Sequence, residues 1–141
     1  MKYLNTKVVF QEIPNEISLA INLTSCPYTC KGCHSPELRE DIGTNLNLDN
    51  LNTIIKNNTG ISCVLFMGGD ANIFLIERCC AYIKQEYNLK TAWYSGRDTL
   101  EHFKILDYLD YIKLGSYKEE LGGLKNNKTN QRLYKIETIK L

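Results

Sequence analysis

Cys26, Cys30 and Cys33 form a Cys-x3-Cys-x2-Cys run, Cys26-Pro27-Tyr28-Thr29-Cys30-Lys31-Gly32-Cys33, followed at once by His34-Ser35-Pro36-Glu37. Three thiolates in so short a loop suit one iron–sulfur cubane, each binding one iron. A four-iron cluster ordinarily takes four cysteines. Three local ligands therefore point to an iron left open for a small molecule, with a fourth ligand from elsewhere in the chain as the alternative. Zinc competes for the same loop. Structural zinc takes four ligands, commonly as two spaced pairs; no second pair follows, and adjacent Cys33 and His34 would both have to turn towards one ion. Iron–sulfur is the preferred reading. Cys63, Cys79 and Cys80 lie in apolar surroundings and read as small buried hydrophobes, one of them as fourth ligand being the alternative.

Such a loop needs a scaffold. Strands are expected over about Lys7–Glu12 and Ile17–Leu23, turning at Pro14-Asn15, with the cysteine loop leaving the second. A helix follows near Leu48–Asn57, where Leu48, Leu51, Ile54 and Ile55 share a face. Cys63-Val64-Leu65-Phe66-Met67 is a continuous apolar run, as in a strand covered on both faces, and it ends in Gly68-Gly69-Asp70. A helix over about Ala71–Tyr87 comes next. Strand Thr91–Tyr94 ends at Ser95-Gly96, helix Thr99–Tyr108 follows, strand Tyr111–Leu114 ends at Gly115, and a strand near Leu133–Ile139 closes the chain. Alternating strands and helices imply a parallel sheet. About four such units are too few for a complete eight-stranded barrel, so the expected architecture is α/β, a partial, open β/α barrel. In such sheets ligands bind beyond the carboxyl ends of strands, where the cysteine loop, Gly68-Gly69-Asp70, Ser95-Gly96 and Gly115-Ser116 all fall.

Glycines there let backbone approach a ligand closely, and Asp70 offers a charge or a cap for the following helix. Lys113 is a cation in an apolar strand, pointing either to solvent or to a ligand carboxylate. His102 reads as structural, and His34 as a packing or orienting residue beside the cluster. The polar segment around Thr129-Asn130-Gln131-Arg132 has no chemistry that composition reveals. At 141 residues, with no repeat or linker, the chain is read as one domain, 1–141. A net charge of +1 gives no support to nucleic-acid or membrane-surface binding. The amino terminus lacks an apolar run of signal-peptide length, no stretch approaches a membrane span, and the expected location is cytoplasmic.

Together these residues resemble the radical S-adenosylmethionine enzymes, whose hallmark is Cys-x3-Cys-x2-Cys, and more narrowly the activating proteins of anaerobic ribonucleoside-triphosphate reductase. The resemblance runs through Cys30-Lys31-Gly32-Cys33-His34-Ser35-Pro36-Glu37-Leu38, Phe66-Met67-Gly68-Gly69-Asp70, Trp93-Tyr94-Ser95-Gly96, Asp110-Tyr111-Ile112-Lys113-Leu114-Gly115 and Thr129-Asn130-Gln131-Arg132. Gly32 stands where many members of the superfamily have an aromatic residue, and Gly68-Gly69-Asp70 replaces the usual Gly-Gly-Glu. The resemblance implies a short form of the radical SAM fold. It also implies a [4Fe–4S] cluster on Cys26, Cys30 and Cys33, with S-adenosylmethionine chelated to the open iron. Reductive cleavage would yield methionine and a 5′-deoxyadenosyl radical that takes hydrogen from a glycine of the reductase, with reduced flavodoxin or a similar protein as donor. Gly68, Gly69 and Asp70 would hold the amino group. Ser95 and Lys113 would meet the carboxylate or ribose, and Tyr28, Gly32 and His34 would adjoin the cofactor from the loop. No side chain is implied as catalytic, since cluster and cofactor carry the chemistry. The competing readings are an activase of another glycyl-radical enzyme, of the pyruvate formate-lyase type, and a non-catalytic iron–sulfur or zinc module.

Overall fold

The computed structural model describes residues 1–27, 36–124, 126 and 129–137. Its centre is one seven-stranded sheet. The strands are β1 (Lys2–Val9), β2 (Ser18–Leu23), β3 (Thr44–Asn45), β4 (Cys63–Met67), β5 (Lys90–Tyr94), β6 (Tyr111–Leu114) and β7 (Arg132–Lys135), in the spatial order β3-β1-β2-β4-β5-β6-β7. β2, β4, β5 and β6 run parallel. β1 lies antiparallel to β2 and β3, and β7 antiparallel to β6. The parallel block was legible from the strand–helix alternation, and the sheet is open as expected, with β3 and β7 as its edges; it is a mixed seven-stranded sheet. An antiparallel strand on each flank turns the chain back where a barrel would add another parallel unit.

Two α-helices pack on one face. In α1 (Leu48–Lys56) the Asn47 side chain caps the start by accepting from the Asn50 amide at 2.8 Å, and Leu51 and Ile55 are buried. In α2 (Ile73–Glu86) the cap is Asn72, whose side chain accepts from the Leu75 amide at 3.2 Å. Asp70 is therefore not the cap, and the helix starts two residues later than its apolar spacing suggests. Ile73, Ile76, Cys79, Cys80 and Ile83 form its buried stripe. The helix expected over Thr99–Tyr108 is replaced by a 3-10 helix over Phe103–Tyr108. Just before the expected helix, Asp98 ties the segment to the end of β6: it accepts from the Ser116 amide at 3.0 Å and from its hydroxyl.

Leu19, Ile21 and Leu23 of β2, Val64 and Phe66 of β4, Trp93 of β5 and Ile112 of β6 build the helix-side core. The alternate residues Ala20, Cys63, Leu65, Ala92 and Tyr111 form a second cluster on the opposite face, covered by Ile13. Burial on both faces explains why β4 has no polar residue. No helix among the described residues is long and apolar enough to cross a membrane.

Candidate iron–sulfur and ligand site at the strand ends

β2 carries the chain directly to Cys26. Ser25, at φ 59°, turns the backbone, and its amide donates to the Glu40 carbonyl at 3.0 Å. The Cys26 amide donates to the Leu38 carbonyl at 2.8 Å. These two bonds bring the start of the cysteine segment against the 3-10 helix Pro36–Arg39 that follows it. Tyr28, Cys30, Gly32, Cys33 and His34 lie outside the described residues.

Half-buried Cys26 borders a cavity of about 200 Å³ at the carboxyl ends of the parallel strands. Four strand residues of its lining, Asn22, Met67, Tyr94 and Lys113, form a single row, because Asn22 pairs with Met67, Met67 with Tyr94 and Tyr94 with Lys113; Leu23 at the end of β2 lies beside them. Gly68, Leu38 and Arg39 complete the wall beside Cys26. Lys113 is 8% exposed. Its ammonium donates to the Gly115 carbonyl at 3.4 Å and lies 5.5 Å from the centre of the Tyr94 ring. A buried ammonium needs such electron-rich neighbours, and Lys113 is turned to this cavity and not to solvent.

Residues 17–136 match the family described as 4Fe-4S single cluster domain. The chain belongs to that family. No curated protein and no solved structure matches it significantly. For a cluster domain, the cysteine chemistry divides cleanly. Burial pushes the thiols of Cys63 and Cys79 up to about 12 and that of Cys80 well above its ordinary value, which keeps them protonated and poor ligands. Cys63 also begins β4, at the end of the sheet opposite Cys26, roughly 13 Å away along the strand. Cys79 and Cys80 lie on the buried face of α2, in the helix-side core. Cys26, by contrast, is only half-buried and borders the strand-end cavity.

Asp70 and Ser95 meet each other. Asp70, 7% exposed, accepts from the Ser95 hydroxyl at 2.5 Å, the Gly96 amide at 2.9 Å and Arg97 Nε at 3.2 Å. Arg97 also donates to the Asp70 carbonyl at 3.1 Å, and the Ser95 oxygen accepts from the Arg97 amide at 3.0 Å. The expectation had been a ligand ammonium at Asp70 and a carboxylate or ribose at Ser95; both side chains are hydrogen-bonded within the protein. The shorter aspartate makes this possible by keeping its carboxylate between the ends of β4 and β5. Gly68 does border the cavity, and its carbonyl is fixed by the Trp93 indole N–H at 2.7 Å. Gly69 faces the core instead. Asn22, Met67, Tyr94 and Arg39 were missed in the sequence. Met67, Tyr94 and Lys113 come from three different strands, and only the register brings them into one row.

Proposed function

We propose that this cluster domain is a radical S-adenosylmethionine activase that generates a glycyl radical on anaerobic ribonucleoside-triphosphate reductase, with reduced flavodoxin or a similar protein as donor. One observation carries the reading: Cys26 and the buried ammonium of Lys113 border the same strand-end cavity. A ligand chelating a cluster on Cys26, Cys30 and Cys33 through its amino-acid end would place its carboxylate within reach of that cation. When bound, the cluster would supply one-electron reduction of the sulfonium, releasing methionine and a 5′-deoxyadenosyl radical. The chain's own residues would bind and orient. Lys113 would take the carboxylate, Gly68 would present uncluttered backbone, and Tyr94 and Met67 would form a water-poor floor. Asp70 and Ser95 would hold the strand ends that carry these groups. A cavity of about 200 Å³ is smaller than most complete ligand pockets, so the nucleoside would extend towards the cysteine loop, where Tyr28, Gly32 and His34 belong.

Anaerobic reconstitution tests the reading. About four irons per chain, and methionine with 5′-deoxyadenosine on reduction, are expected; Cys30→Ala should lose cluster and cleavage together. A cluster whose paramagnetic signal ignores added S-adenosylmethionine, without cleavage, would overturn it in favour of a non-catalytic iron–sulfur module. Adding the reductase or pyruvate formate-lyase, and reading the glycyl-radical signal, separates the two protein targets.

A further inference from the structure

Thr129-Asn130-Gln131-Arg132 gains a role from where the fold places it. The segment closes on Gly115, the residue just past β6, and secures that peptide from every side. The Gly115 amide donates to the Arg97 carbonyl at 2.6 Å. Its carbonyl accepts from the Gln131 side-chain amide at 3.3 Å and from the Lys113 ammonium at 3.4 Å. Its α-carbon, at φ 112°, leaves no room for a side chain, since an added Cβ would lie 2.8 Å from Gln131 Cα and 2.9 Å from the Asn130 carbonyl oxygen. Asn130 donates to the Ser116 carbonyl at 3.0 Å. Gln131 and Thr129 are themselves buried, 8% and 4% exposed. The Thr129 hydroxyl donates to the Gly122 carbonyl at 3.0 Å and accepts from the Gln131 amide at 3.1 Å.

We propose that Gln131, braced by Thr129, is a positioning residue for Lys113: it fixes the Gly115 carbonyl on which the ammonium rests and so aims that cation into the strand-end cavity. A lysine side chain has four rotatable bonds, and an unanchored ammonium would leave a buried site for water. The shared carbonyl holds the nitrogen near the Tyr94 ring, where an incoming carboxylate would find it without reorganisation. The proposal deepens the activase reading and rests on it.

The test is a double-mutant cycle on cluster-loaded full-length protein. Its readouts are the equilibrium Kd for S-adenosylmethionine and the separate KM and kcat of cleavage. Lys113→Met should raise Kd and KM about tenfold, the scale of one hydrogen bond to a charged group. Gln131→Met removes the amide donor at similar volume and should raise them about three- to tenfold with kcat nearly unchanged. In the Lys113→Met background the same change should have no further effect. Gln131→Asn, too short to reach the carbonyl, should behave like Gln131→Met and replaces it if that variant fails to fold. An unchanged Kd, or effects that simply add, overturns the proposal. If wild-type protein binds its cluster but no S-adenosylmethionine, the activase reading itself has failed; if Lys113→Met weakens binding and the Gln131 variants do not, only this inference has.

Discussion

Gly68 and Gly69 both hold positive φ angles, 94° and 92°, yet different neighbours make them necessary. A Cβ on Gly69 would lie 2.6 Å from Ile76 Cδ1 and 2.8 Å from Leu23 Cδ1, inside the helix-side core. A Cβ on Gly68 would meet nothing nearer than the Leu23 carbonyl at 3.5 Å. Gly68→Ala should therefore cost only the backbone strain, about 1–2 kcal/mol. Gly69→Ala adds overpacking of about 1–3 kcal/mol. Denaturant unfolding of the two variants should show Gly69→Ala as clearly the less stable; equal midpoints would refute the assignment of Gly69 to packing. The glycine pair was legible in the sequence as a strand end. Which glycine borders the cavity and which the core was not, because that depends on α2 lying across the end of β2.

Between elements, two buried carboxylates act as staples at opposite ends of the sheet. Asp70 joins the ends of β4 and β5, and Asp70→Ala would strand the Ser95 hydroxyl, the Gly96 amide and the partly buried Arg97 guanidinium. Breaking such a pair costs about 3–5 kcal/mol. Asp70→Glu should not rescue it, because the extra methylene must enter a space already filled by these partners; thermal unfolding should place both variants below wild type. At the other end, Glu16 accepts from Ser62 at 2.5 Å and Lys90 at 2.7 Å, tying the turn before β2 to the starts of β4 and β5. Burial tends to raise its carboxyl, but the Lys90 and Ser62 hydrogen bonds outweigh that and hold it below its ordinary value. A depressed folded-state value stabilises above the ordinary glutamate value, about 4.3, and that contribution is lost as pH falls through the lower folded value. Glu16→Gln should be less stable at neutral pH and lose less on acidification; parallel stability–pH curves would contradict this. Neither staple could be read beforehand, since Glu16 and Lys90 lie 74 positions apart and meet only through strand order. The helix misread over Thr99–Tyr108 has the same origin: Asp98 belongs to a strand-end tie that local spacing does not reveal.

For the molecule as a whole, periodicity and apolar runs disclosed the parallel block because each strand had to be buried on both faces. The open form was expected from the small number of strand–helix units, and Pro14-Asn15 marked the turn between β1 and β2; the antiparallel course of β7 beside β6 carried no such local signal. The consequence concerns the cluster. Among the described residues, both hydrophobic cores are built from the strands, the helices and the turn before β2, with Leu19, Ile21, Val64, Phe66, Ile76 and Trp93 fully buried. Folding of the sheet should then not require the cluster, unlike small zinc domains that unfold when stripped. Chelation should bleach the visible absorbance while leaving the far-ultraviolet dichroism and a cooperative melt. The loaded protein should melt higher, because a group that binds only the folded state adds its binding free energy to stability. Cys30→Ala should melt with the stripped wild type, whether or not iron and sulfide are supplied. Loss of cooperative melting on chelation would mean that the cysteine segment nucleates the sheet, contrary to a core assembled by β2, β4, β5 and β6 beneath their helices.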